Sequence, residues 1–234
     1  RTLAVKAPAL FSSDRENPET QAIVTDALAD AIRFTPGNCL FFFPSYAEAE
    51  RYHERLRDRS DVDSDLRLDE PGIDTEPLRR SFVGADDAVL CTSLWGTLAE
   101  GVSFDDGAAR TAAVVGVPYP RLSERLEAIQ DAYDRAYDDR PDAGWRYAVE
   151  IPTVRKTRQA LGRVIRSPED YGVRLLIDRR YTQESVDMGK YGVRESFPRE
   201  ERAELVDVAP EKLKFSMLNF YADLDAYGEA PPRP

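Results

Sequence analysis

Residues 159–166 read QALGRVIR, a glutamine and two arginines set around a glycine in an otherwise apolar stretch. On an α-helix Gln159, Arg163 and Arg166 stand at i, i+4 and i+7 and share one face. Ala160, Leu161, Val164 and Ile165 cover much of the remaining surface and suit packing on a sheet. A guanidinium is planar, always charged and matched to phosphate oxygens. Two of them on one face can contact a γ-phosphate and stabilise the charge developing on it, which makes Arg163 and Arg166 catalytic candidates. Gly162 costs about 1 kcal/mol relative to alanine in an exposed helix, and its missing side chain permits close approach of a ligand or another backbone. The spacing equally suits two arginines paired with surface carboxylates, which are plentiful here and pair weakly.

A second set of candidates suits a nucleic-acid strand. Ser45 and Tyr46 follow an apolar run at the start of a helical one. Free N–H groups at such a helix start bind phosphate, and a tyrosine there can stack on a base. The alternative is a capping serine and a partly buried tyrosine. Arg155, Lys156 and Arg158 form the most basic local stretch and can line a strand path or a solvated helix face. Tyr119, just past a strand end, is read as a packing residue. His53, the only histidine, lies in the charged run AEAERYHERLRDR, and the two cysteines, Cys39 and Cys91, sit in apolar runs. Metal sites built from clustered His or Cys are therefore not expected.

The elements that must carry these residues alternate. Strands are predicted at 2–5, 38–43, 88–93, 111–117, 146–151 and 172–178, with a short further strand at 65–68. Several are continuous apolar runs, as in strands buried on both faces of a parallel sheet. Helices are predicted at 17–34, 45–58, 75–84, 121–138, 153–166 and 211–228, with Pro18, Ser45 and Gly84 as boundary signals. This alternation predicts a three-layer α/β domain with a mostly parallel sheet. Segments 58–74 and 139–144 are acidic and rich in turn formers, and read as surface loops.

The 234 residues hold 43 Asp and Glu against 32 Lys and Arg, a net charge of −11, and only five of the basic residues are lysine. An acidic, arginine-rich, lysine-poor chain suggests a salt-loving source. Acidic net charge usually opposes nucleic-acid binding, but concentrated salt shortens electrostatic reach to a few ångström and leaves close arginine contacts and stacking. No apolar run is long enough to span a bilayer, and a cytoplasmic location is expected. The chain lacks a GxxxxGK[ST] phosphate loop, a GxGxxG turn after the first strand, a GxSxG elbow and an acidic strand-end signature. It has α/β form without the parts that hold and hydrolyse a nucleotide by itself.

Three segments, in order, resemble one family. QALGRVIRSPEDYGVRLLIDRRY (159–181) is similar to motif VI of the XPD/DinG-type superfamily 2 helicases, running through Asp170–Tyr171–Gly172 to Asp178, Arg180 and Tyr181. TLAEGVSFDDGAARTAAVVGVPYP (97–120) resembles motif V, with Glu100–Gly101 and Phe104–Asp105, and GNCLFFFPSYAEAERY (37–52) resembles motif IV.

The resemblance covers residues 1–225 and implies the second, RecA-like (P-loop NTPase-type) domain of a two-domain ATP-dependent DNA helicase, with 226–234 a flexible tail. The phosphate loop, most of the Mg²⁺ coordination and any iron–sulfur cluster would belong to an N-terminal RecA-like domain earlier in the same polypeptide. ATP would lie between the domains, contacted by Gln159, Gly162, Arg163, Arg166, Glu100 and Gly101. Glu100 and Asp105 would couple nucleotide state to strand movement. Ser45, Tyr46, Arg155 and Lys156 would contact single-stranded or forked DNA, with 5′ to 3′ movement in repair, and this segment alone would be inactive. The competing expectation is a stand-alone nucleic-acid-binding or regulatory module with a degenerate RecA fold.

Overall fold

A computed structural model describes residues 1–100, 107–163, 170–228 and 230–234. Seven strands form one parallel sheet: β1 (Thr2–Val5), β2 (Cys39–Phe43), β3 (Asp65–Leu68), β4 (Ala88–Ser93), β5 (Thr111–Val115), β6 (Val173–Ile177) and β7 (Leu205–Val208). Their order is β3-β4-β2-β5-β6-β1-β7. The strands predicted at 2–5, 65–68 and 88–93 have those bounds, and those at 38–43, 111–117 and 172–178 are slightly shorter.

Strand alternation builds two cores. Cys39, Phe41 and Phe43 face one side with α1 (Pro18–Arg33), α2 (Tyr46–Arg57) and α9 (Leu213–Asp223). Leu40 and Phe42 face the other with α3 (Thr75–Val83), α4 (Thr97–Glu100) and α7 (Ile151–Leu161). Helices on both faces explain why the central strands read as unbroken apolar runs: every residue of β2, β4 and β5 is buried. Asn17 caps α1 by accepting from the Glu19 and Thr20 amides, and Ser45 caps α2 by accepting from the Glu48 amide at 3.2 Å. Beyond α9, the Tyr227 hydroxyl donates to the Phe34 carbonyl and Arg33 to that of Arg233.

Two predicted elements differ. Residues 146–151 are not a strand. They form a π-helical turn (Arg146–Glu150) that joins α6 (Ala143–Trp145) to α7. A run of six residues with apolar members fits either period. Pro152 lacks an amide donor, and a wide turn just before it lets the helix continue without the missing bond. The helix predicted at 153–166 ends at Leu161, where Gly162 caps it and its amide donates to the Arg158 carbonyl at 2.9 Å. Edge strand β7 and α8 (Arg199–Glu204) were not expected. The segment LVDV is too short to announce itself beside a charged helix. Among the described residues no helix is long and apolar enough to cross a membrane.

Candidate functional site

α7 carries the start of the glutamine–arginine motif on one face of the sheet, packed against the central strand β5. Thr153, Val154, Thr157, Ala160 and Leu161 are buried, so the helix presents Arg155, Arg158 and Gln159 outward. Arg163 lies two residues past the helix end, and its Nη2 donates to the Ala99 carbonyl in α4 at 2.8 Å. Motif residues far apart in sequence are thus brought together: Arg163 holds the short helix that follows β4. Among the described residues a Cβ on Gly162 would meet the Arg158 and Gln159 carbonyls of its own helix end, and the glycine is exposed and caps that end. Gln159 and Arg163 therefore do not share a continuous helix face. Glu100 ends α4, but its side chain, like Gly101, Asp105 and Arg166, lies outside the described residues.

The strand-side candidates divide. Tyr46 is half-buried, and its hydroxyl stands 2.4 Å from where a Gly96 Cβ would be, against the start of α4. Burial first, and then the Asp69 charge, raise its pKa. Asp69 is itself buried, accepts from Thr92 Oγ1 at 2.6 Å, and has its pKa raised by that burial. Lys156 is buried, with its ammonium 4.9 Å from the Trp95 ring centroid. Arg158 pairs with Glu201 at 2.6 Å, and Arg155 is exposed.

A cleft of about 970 Å³ opens at the carboxyl ends of β1, β2, β4, β5 and β6. That edge is where an open α/β sheet places its ligand. Its walls are aromatic. Tyr191 meets Phe11 edge-on at 5.6 Å and Trp145 at 5.5 Å, and Tyr119 donates its hydroxyl to the Tyr191 carbonyl at 2.6 Å. Tyr119 thus both packs, as expected, and lines the cleft. Trp95 and Tyr191 remain 44% and 42% exposed, enough to offer ring surface to a ligand.

Arg180 is the buried cation of the cleft wall, which Arg15 and Arg121 also line. Its guanidinium lies over the Phe11 ring at 4.5 Å and donates from Nε and Nη2 to Asp178 at 2.9 and 2.6 Å. Asp178 also accepts from the Leu10 and Arg180 amides, which ties the ends of β1 and β6 together. Burial works against the Arg180 charge, but the Asp178 carboxylate outweighs it, and the guanidinium pKa is raised.

Phe11, Trp95, Trp145, Arg180 and Tyr191 were not picked out as cleft residues from the sequence. Phe11, Trp95 and Arg180 each follow a strand end closely, and that position is a usable signal. Trp145 was hidden by reading the next residues as a strand. Tyr191 follows no strand, and nothing in the sequence points to it.

A family model described as the helicase C-terminal domain matches residues 28–190. The chain is 25% identical over 192 residues to the general transcription and DNA repair factor IIH helicase subunit XPD/RAD3 of Saccharomyces cerevisiae, covering 76% of this chain and 24% of that protein. It is 26% identical over 202 residues to the regulator of telomere elongation helicase 1 homolog of Caenorhabditis briggsae, covering 75% and 20%. The chain thus spans about a quarter or less of the length of these relatives. A solved structure titled XPD helicase superposes with a TM-score of 0.68 at 19% identity, over 89% of this chain and 35% of that one, and so shares the fold.

Proposed function

Because the chain belongs to the helicase C-terminal domain family of XPD/RAD3-type helicases, we propose that it is the second motor domain of an ATP-dependent DNA helicase. ATP binds between this domain and an N-terminal RecA-like domain of the same polypeptide, and its hydrolysis supplies the free energy for movement on DNA. The observation that carries the reading is Arg163 at the end of α7, half-buried, with one nitrogen on the Ala99 carbonyl. That bond fixes the position of a planar, always-charged group whose shape and charge match phosphate oxygens. Gln159, exposed on the preceding turn, fits the same group. Arg166, Glu100, Gly101 and Gly162 complete the proposed ATP contacts. Mg²⁺ is held mainly by the N-terminal domain.

The aromatic cleft supports single-stranded DNA as the second ligand. Ring faces bind bases of any sequence by stacking, and stacking survives salt that weakens phosphate contacts. We place the strand along the carboxyl edge of the sheet, past Ser45, Tyr46 and the Arg155–Lys156 turn. Movement is 5′ to 3′ on single-stranded or forked DNA, in repair. Replacing Arg163 by alanine in the full-length protein tests the reading. ATP turnover is expected to fall by a factor on the order of 10³, with strand affinity within a few-fold of wild type. Turnover near wild type would remove Arg163 from the reaction.

A further inference from the structure

One short segment joins the cleft to Arg163. Trp95 lines the cleft and is 44% exposed, and the Lys156 ammonium on α7 holds its indole at 4.9 Å. The next residue, Gly96, is closely packed: a Cβ there would stand 2.4 Å from the Tyr46 hydroxyl and 3.2 Å from the Ser93 carbonyl. α4 follows at once. Leu98 and Ala99 are buried, at 0% and 4% exposure, and Ala99 offers the carbonyl that Arg163 binds. A single helical turn with its apolar side in the core has little room to deform within itself. Displacement at Trp95 is therefore passed to Ala99 as a shift of the whole turn. The turn is tied at both ends to the α7 segment, by Lys156 at Trp95 and by Arg163 at Ala99.

We propose that Trp95 is a positioning residue for ATP turnover: a nucleobase of bound single-stranded DNA stacks on its indole, and α4 carries that contact to the Arg163 guanidinium. The inference rests on the motor-domain reading above and adds the residue through which the strand is sensed. Other ring faces of the cleft, such as Tyr191, hold the strand without reporting on it, since among the described contacts theirs run to Phe11, Tyr119, Trp145 and Lys190 and not to α4.

The test uses the full-length protein with oligothymidylate. It reads two quantities: strand affinity, and the ratio of ATP turnover at saturating oligonucleotide to turnover without it. Trp95→Leu keeps apolar bulk at a site exposed enough to fold without the indole, and Trp95→Phe keeps an aromatic face. Trp95→Leu is expected to lower the turnover ratio about tenfold even at saturation, whereas Trp95→Phe stays within about twofold. Tyr191→Leu is expected to weaken affinity but leave the ratio at saturation unchanged. If Trp95→Leu keeps the wild-type ratio at saturation, Trp95 only binds, and the inference is wrong. Equal losses in the leucine and phenylalanine variants would reduce Trp95 to a packing role and also overturn it. Failure of the underlying reading looks different: Arg163→Ala would then retain wild-type turnover whatever happens at Trp95.

Discussion

Asp178 and Arg180 show how much one buried pair can hold. Their side chains are 0% and 2% exposed, and the pair is bidentate. Asp178 further accepts two amides, one from the β1 exit and one from its own turn. Removing the arginine leaves a carboxylate buried without its counter-charge, and breaking such a pair costs about 3–5 kcal/mol. Arg180→Ala is therefore expected to lower the free energy of unfolding by that amount, seen as a lower denaturant midpoint with the slope of the transition unchanged. Arg180→Lys is expected to recover only part of the loss, because an ammonium cannot reproduce the planar fork. Equal stability of wild type and Arg180→Ala in a urea titration would show that Asp178 finds other partners. The same pair bears on the cleft, since Arg180 keeps Phe11 and Tyr119 in place through its ring contacts.

The helical insert between β5 and β6 is the element on which sequence and structure diverge most. α5 (Glu124–Ala136) buries only Leu126 and is held by α6, which meets it through Gly144. The Gly144 amide donates to Asp134 Oδ1 at 2.6 Å, and a Cβ at this position would lie 2.5 Å from the Gln130 carbonyl oxygen. Backbone atoms cannot yield as a flexible side chain would, so Gly144→Ala must push α5 away. A cost of about 1–3 kcal/mol is expected, seen as faster hydrogen exchange across Glu124–Ala136 with the sheet amides unchanged. Unchanged exchange in α5 would mean that Gly144 is not its anchor. The sheet itself was legible because three layers force β2, β4 and β5 to be apolar throughout. The insert was not, because YAVEI satisfies two periods and only the contact with α5 and the π turn before Pro152 decide between them. The site was half legible for a related reason. Gln159 and Arg163 stand out as local chemistry, whereas the cleft is assembled from short stretches after five different strands together with Trp145 and Tyr191. No window of sequence contains them together.

At the scale of the whole molecule the charge balance governs behaviour. A net charge of −11 on 234 residues makes the folded chain repel itself. The ion pairs that offset this are mostly at the surface, as with Arg59 held by Asp26 and Asp61 and Arg51 held by Glu16. Such pairs contribute about 0–1 kcal/mol each, so screening them removes little. The long-range repulsion has more to lose: the Debye length falls from about 10 Å at 0.1 M salt to about 3 Å at 1 M. Concentrated salt also strengthens apolar burial when the anion is strongly hydrated. Chloride is not such an anion, so screening carries the effect in KCl, and the folded state is expected to gain stability from 0.1 to 2 M KCl, with a rise in Tm of several degrees. Sucrose gives the control, since it favours compact states by exclusion without screening charge. If screening dominates, KCl raises Tm well beyond what sucrose does at equal osmolality, and the excess disappears near pH 4.8, where the net charge is close to zero. A Tm that is flat or falls with KCl at neutral pH would mean that the surface pairs outweigh the net repulsion. The acidic composition would then reflect something other than adaptation to salt.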